Sequence, residues 1–339
     1  MRALILILFA HLLLNNSFSQ DAHFTQIDKT ISYLNPAMVG NFEGFGKITA
    51  QNRNQWINSG TSFSTSYFMG EMNIGKKKKG LKSYTGIGAY FLSDIGGISN
   101  YGIKTFGLAS SGNIPLARGQ WISGGLNISL NQQAIDLSKV TFASQWNGTV
   151  IDPNLPSGEN VNMSSAFFPD AGAGLAFNFQ KPNNSAFDKR ELRFQGGVSL
   201  QHLNRPKINF SSLEKDNMQI KLMLHGLLSF SITNSSLLEM SVAQFVQGPH
   251  RETILGAYLK SKLKESSQFT SLVSSQFLSI GTYFRSTLDI CPYFALDLGP
   301  FRIGMAYDIN LRPVTTGSYR QSIEFQLAYQ FTKNRTLRF

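Results

Sequence analysis

The chain has 339 residues, a formal net charge of +11, only 15% charged residues, 27 phenylalanines, 30 glycines and a single cysteine. One cysteine excludes an internal disulfide framework, and beyond the N-terminus no run approaches the roughly eighteen apolar residues of a helical membrane span. Charge this scarce, against a usual share of about 25%, together with many aromatics and glycines, suits a wall that faces lipid and needs close backbone approach and tight turns.

Residues 1–19 read as an export signal. Arg2 supplies the positive start, residues 3–14 are apolar apart from His11, and Ser17 and Ser19 flank Phe18 in a small-x-small pattern, placing cleavage after Ser19 and leaving Gln20 first. As a helix the apolar run rises only about 18 Å, too short for roughly 30 Å of hydrocarbon, so a signal is favoured over a retained anchor. No cysteine lies near the cleavage site to carry a lipid. Export argues against a nucleic-acid partner for the basic balance and favours anionic outer-membrane lipid headgroups. Residues 20–44 form an N-terminal periplasmic or lumen segment, with room for a short helix before Gly40.

From residue 45 to 333 the chain repeats a period of two. Phe63, Thr65, Tyr67 and Met69 alternate with Ser64, Ser66, Phe68 and Gly70; Ile122, Leu126, Ile128 and Leu130 with Ser123, Asn127 and Ser129. Ala173, Leu175, Phe177 and Phe179 alternate with Gly174, Ala176 and Asn178; Leu228, Phe230 and Ile232 with Leu227, Ser229 and Ser231. Ile303, Met305, Tyr307 and Ile309 alternate with Gly304, Ala306, Asp308 and Asn310. The clearest case ends the series: Ile323, Phe325, Leu327, Tyr329 and Phe331 alternate with Glu324, Gln326, Ala328 and Gln330. Successive strand side chains point to opposite faces, so such segments have one face for lipid and one for a polar interior.

Strands are predicted near 45–53, 63–70, 84–93, 101–112, 122–131, 173–179, 191–203, 227–233, 237–247, 252–262, 277–286, 289–298, 303–310 and 323–331. The expected fold is all-β: a closed, antiparallel transmembrane β-barrel of about fourteen strands, of outer-membrane type, with a tail at 334–339. Two soluble β-sandwiches would also alternate, but the scarcity of charge, the even strand length and the aromatic ends of the apolar faces favour the barrel.

With both ends in the periplasm, residues 75–81, including the lysine run 76–79, form a periplasmic turn, while 133–169 and 204–216 lie outside. The lysines fit either a solvated turn or a grip on a periplasmic partner or lipid. Residues 263–276 are long for a periplasmic turn and raise the possibility of a miscounted strand. Cys291 reads as structural.

Chemistry has few candidates. His23, His202, His225 and His250 show no metal-ligand spacing, and phosphate loops, GxSxG elbows and cysteine-nucleophile signatures are absent. His225 shares a strand face with Ser229 and Ser231; a catalytic set with Ser229 or Asp308 is weighed against a lumen-lining histidine, and the latter is preferred. Asp94, Asp170 and Asp308 read as polar interior or rim residues. Asn147-Gly148-Thr149 matches a glycosylation sequon and is taken as coincidence. No cofactor, metal or enzymatic activity is expected.

Six motifs in order carry a family resemblance. Tyr33-Leu34-Asn35-Pro36-Ala37 resembles the LNPA signature opening the PorP/SprF family of type IX secretion membrane proteins. Asn52-Arg53-Asn54-Gln55-Trp56 resembles its YRNQW segment, with Asn52 in place of tyrosine. Asp94-Ile95-Gly96-Gly97 resembles its D-x-x-G turn, and Phe168-Pro169-Asp170-Ala171-Gly172-Ala173-Gly174 its PDFGAG segment. His202-Leu203-Asn204-Arg205-Pro206 resembles HLNxP, and residues 303–310, with Tyr307 and Asp308, resemble IGYSYD-x-N. Glu324 and Phe325 fit the closing HEI element only loosely, and residues 332–339 run past the usual ending.

The resemblance implies an outer-membrane barrel serving type IX secretion and, in gliding bacteria, adhesin display. It also implies other secretion-system components and a large secreted partner whose C-terminal signal domain the barrel helps export or anchors at the cell surface. From the residues themselves, Asn35 before Pro36 is extended, Trp56 suits an aromatic belt, and Arg53 suits pairing with an inward carboxylate. Phe142 and Trp146 on the 133–169 loop are candidate partner anchors, set against loop self-packing. The alternative function is a channel for hydrophobic or small molecules in the manner of fatty-acid transporter barrels.

Overall fold

The structure, a computed structural model, describes residues 23–57, 63–76, 82–136, 140–158, 165–181, 191–208, 216–264, 275–311 and 321–331. The signal (1–19), lysines 77–79 and the tail (334–339) lie outside the described residues.

Among the described residues sixteen strands follow in chain order. They are β1 (Gly46–Gln55), β2 (Phe63–Ile74), β3 (Tyr84–Gly96), β4 (Tyr101–Ala117), β5 (Gln120–Ala134), β6 (Ser165–Gln180), β7 (Leu192–Gln201) and β8 (Lys207–Ile208). Then come β9 (Asp216–Asn217), β10 (Lys221–Ser231), β11 (Ser236–Gln247), β12 (His250–Lys264), β13 (Gln276–Arg285), β14 (Asp289–Leu298), β15 (Phe301–Asn310) and β16 (Gln321–Phe331). All but β8 and β9 close into one antiparallel barrel of neighbouring strands, while β8 pairs β9 in the β7–β10 connection. Closure is β1 against β16, from Gly46 opposite Phe331 to Gln55 opposite Ser322. It removes the open edge that hydrocarbon cannot satisfy. Each of the fourteen predicted segments falls on a barrel strand; of the long 263–276 connection, residues 265–274 lie outside the described residues.

The alternation resolves as outside against inside. On β16 Phe325 and Leu327 are exposed while Glu324 and Gln326 are buried, and on β5 Leu126, Ile128 and Leu130 are exposed while Asn127 and Asn131 are buried. Strand β2 runs against the expectation: its apolar set, Tyr67 and Met69, is buried inside, and Phe68 and Met72 face lipid. The reason lies in what fills the barrel. Residues 23–44 fold into the lumen through a single helical turn (Ile31–Leu34) and a 3-10 turn (Pro36–Met38). Phe24, Ile27, Leu34, Ala37, Met38 and Val39 are essentially inaccessible there. Phe24 and Tyr33 lie against Tyr67, with ring centroids 6.0 and 5.5 Å away. Burying each such side chain is worth about 1.5–3 kcal/mol, so an apolar lumen face is favourable wherever the plug meets it.

Candidate functional site

The plug is seated by Asn35, Pro36 and Ala37. Pro36 starts the 3-10 turn and holds Asn35 extended, at φ −132° and ψ 109°. Asn35 Oδ1 accepts from the Ala37 amide at 3.0 Å. Its Nδ2 donates across the lumen to the carbonyls of Leu175 (3.1 Å) and Val198 (3.4 Å) and meets His225 Nε2 at 2.9 Å. Backbone comes this close because the wall carries glycine. A Cβ on Gly125 would stand 2.3 Å from the Pro36 carbonyl carbon, on Gly174 2.0 Å from Asn35 Oδ1, and on Gly86 2.0 Å from the Val39 oxygen. These three glycines, on β5, β6 and β3, make a smooth strip under the plug. At Gly40 (φ +74°) the chain turns away, its amide bonded to Glu71 at 2.9 Å.

The start of the plug is held by charge at the closing seam. Arg53 on β1 faces Glu324 on β16 in register. Its guanidinium reaches Asp308 at 2.8 Å, Glu324 at 3.3 Å and the His23 carbonyl at 2.9 Å. Glu324 accepts from the Thr25 amide (2.7 Å) and the Gln26 amide (3.3 Å). His23 Nε2 lies 2.9 Å from Glu252, and Arg285 lies 3.8 Å from both Glu252 and Asp308. Further along, Asp28 accepts from the hydroxyls of Tyr258 and Tyr283, both at 2.7 Å, and contacts Lys29. Buried charges persist only when paired and hydrogen-bonded, and here the plug backbone supplies part of that pairing.

Above the plug the lumen opens into a vestibule of about 860 Å³, with His23 and Tyr33 among its lining residues. The long β5–β6 and β7–β10 connections join their strands at this end, so it faces outward by the usual loop asymmetry. At its rim two motifs meet. His202 Nδ1 is 2.8 Å from Asp170, and Asn204 bonds the Ala171 amide (3.2 Å) and the Pro169 carbonyl (2.8 Å). His202 sits at φ +59°, a left-handed conformation that this clasp holds in place. The β5–β6 connection folds around buried Gln145, which accepts from the Phe142 amide at 2.9 Å and donates to the Pro153 and Leu155 carbonyls. Trp146 bridges Ile151 and remains 54% exposed, so it is presented rather than packed away; Phe142 is half-buried.

The structure therefore brings Asn35, Pro36, Ala37, Arg53 and Asp308 to the plug, and Asp170, His202 and Asn204 to the rim. Gln55 and Trp56 line the vestibule. Trp56, expected in a lipid belt, instead stands edge-on to Phe63 with centroids 4.8 Å apart, its φ of +57° turning it off the strand axis. Asn54, off the lumen face, bonds Asn52, and Tyr307 alternates with inward Asp308 on β15, away from the charge cluster. His225 is engaged by Asn35 beneath the plug. Sequence reading missed Glu324, Glu252 and Arg285 and the glycine strip. The available signal was charge and glycine on inward positions of membrane-crossing strands. Among the described residues no group of three or more His, Cys, Asp or Glu is placed to hold a metal, and no helix is long and apolar enough to cross a membrane.

Among solved structures the chain is similar to the translocator domain of autotransporter NalP from Neisseria meningitidis. The two are 11% identical over 91% of this chain and 96% of that one, with TM-score 0.45. It is also similar to the CymD monoaromatic hydrocarbon channel (9%, 92% and 95%, TM-score 0.48) and a Pseudomonas aeruginosa FadL homologue (11%, 89% and 94%, TM-score 0.45). Similarity this low gives the chain no substrate or partner. No curated protein sequence matches it. The family described as type IX secretion system membrane protein PorP/SprF matches residues 16–329, which include the plug, the seam and the rim motifs. The chain is a member of the PorP/SprF family, an integral outer-membrane β-barrel of the type IX secretion system.

Proposed function

We propose that this barrel binds the C-terminal signal domain of a large secreted partner, an adhesin or other cargo, at its outer end and fixes it to the membrane, without catalysis. The observation that carries the reading is the combination of a filled lumen with a built outer surface. Residues 23–44 occupy the barrel interior beneath the vestibule, while the 140–158 lobe holds Trp146, Val150 and Ile151 exposed around a hydrogen-bonded Gln145. Exposed aromatics on a rigid support are the usual anchors of interfaces. A conduit for hydrophobic molecules would need an apolar path, and the plug and its charge cluster weigh against one.

The test replaces residues 140–158 by a short flexible linker, with Trp146→Ala as a milder arm, in cells that carry the native partner. The barrel is expected to remain inserted while the partner moves into the medium. A partner still held at the surface would reject the lobe as the binding element. Failure of any secreted protein to co-purify with the native barrel from detergent extract would reject the anchoring role itself.

A further inference from the structure

We infer that the outer mouth of the barrel is an apolar collar on which one folded domain of the exported partner seats coaxially, capping the vestibule. The inference rests on the anchoring reading and extends it from one lobe to the whole circumference.

The first observation is where apolar side chains stand clear of lipid. Fourteen strands leave seven outer connections. Six of them expose an aliphatic or aromatic side chain among their described residues: Ile57, Ile98, Trp146, Leu203, Leu288 and Leu311. The seventh is the tight turn at Gly248 and Pro249. Leu288 and Leu311 adjoin, the Leu311 amide donating to the Leu288 carbonyl at 2.9 Å, and the strand order puts them across the mouth from Trp146. Lipid does not account for this collar. Below it the outward positions are polar: Asn54 on β1, Ser66 on β2, Lys104 on β4 and Arg251 on β12, each next to a buried, inward residue. The lipid-facing Phe68, Phe106 and Leu255 begin only past them. Exposed apolar side chains gathered at one end mark an interaction surface.

The second observation is backbone conformation. Among the described residues five non-glycines have a left-handed φ: Trp56 (+57°), Asn100 (+46°), His202 (+59°), Arg205 (+43°) and Leu288 (+66°). All five lie in outer connections. The periplasmic turns place glycine in that conformation instead, at Gly75, Gly119 and Gly299. Bulky residues held this way are disfavoured and cluster at functional sites, and Leu288 is itself part of the collar. Geometry selects the occupant. Fourteen strands about 4.8 Å apart and tilted about 40° close into a ring about 28 Å across. No small molecule reaches both sides of such a ring. A second barrel in the same membrane points its mouth the same way and cannot face it. A folded domain spans it: the mouth covers about 600 Å², near the roughly 800 Å² that each partner of a stable complex buries.

The test uses native cells and the secreted protein that co-purifies with the barrel. A photo-crosslinking phenylalanine analogue is placed singly at Ile98, Leu203, Leu288 or Leu311, with lipid-facing Leu126 as control. Adducts to that protein are expected from all four collar sites and none from Leu126. In parallel, Ile98→Asp and Leu311→Asp should each weaken its retention by about tenfold, measured as protein released into the medium. Leu288→Gly supplies the residue that the φ of +66° favours. It should keep or raise the unfolding midpoint of the barrel while still weakening retention, which separates loss of contact from loss of fold. Adducts to lipid or to a second barrel overturn the collar, as do adducts confined to Leu203, whose amide bonds Ala171 beside the lobe. Unchanged retention in both Asp variants overturns it too. If Trp146→Ala releases the protein while the collar variants hold it, the collar fails and anchoring stands. If no secreted protein co-purifies, anchoring fails and the collar with it.

Discussion

Replacing Gly125 by alanine would add a methyl group 2.3 Å from the Pro36 carbonyl carbon and 2.4 Å from both its oxygen and the Ala37 nitrogen. All three are backbone atoms of the plug, so no side-chain rotation relieves the clash. Ordinary contact begins near 3.4 Å, and the plug must therefore retreat by about 1 Å. Such a retreat stretches the Asn35 bonds to Leu175 (3.1 Å) and His225 (2.9 Å) beyond hydrogen-bonding reach. Their combined loss costs about 2 kcal/mol. Local opening of residues 31–39, followed by hydrogen exchange with mass spectrometry on the folded barrel, should then quicken by about 30-fold. The barrel strands keep their ladders, so their exchange should stay unchanged. Gly70→Ala is the control: a Cβ there meets nothing within 4 Å. Equal protection of residues 31–39 in Gly125→Ala and the unsubstituted protein would refute the seating of the plug on the glycine strip.

Other consequences follow from the same geometry. Asn35→Asp should loosen the plug more than Asn35→Ala, because a carboxylate would face the Leu175 and Val198 carbonyls that now accept from Nδ2; exchange of the same peptides ranks the two. Arg53→Leu leaves Asp308 and Glu324 buried without their nearest cation and should cost about 3–5 kcal/mol in urea unfolding; a loss below about 1 kcal/mol would show that the cluster does not hold the seam. Asn204→Ala removes the clasp on Ala171 and Pro169, worth about 1–2 kcal/mol, and should speed exchange at the rim while the unfolding midpoint of the barrel stays put.

Much of the fold was legible before any coordinates. A period of two needs only neighbouring residues, and residues 323–331 or 122–131 declare a lipid face and a polar face by themselves. The candidate stretches numbered thirteen or fourteen, and the preference of bacterial barrels for even strand numbers chose fourteen. The site was legible in pieces: Asn35, Pro36 and Ala37 stood out as a motif, Arg53 as a cation in search of a carboxylate, Asp170 and His202 as separate polar residues. What they touch was not. Pairing Asp170 with His202, or Asn35 with the bare backbone at Gly174, joins residues far apart in the chain, and one sequence holds no record of such distances.

Local alternation sets which side chains share a face, because the pleat fixes that within any strand. It does not say which face looks inward once the interior is itself apolar, as β2 shows by turning Tyr67 and Met69 toward Phe24 and Tyr33. Only closure of the barrel around residues 23–44 decided that. Closure brings β1 beside β16, sets Arg53 opposite Glu324, and makes glycines from three separate strands into one seat for the plug.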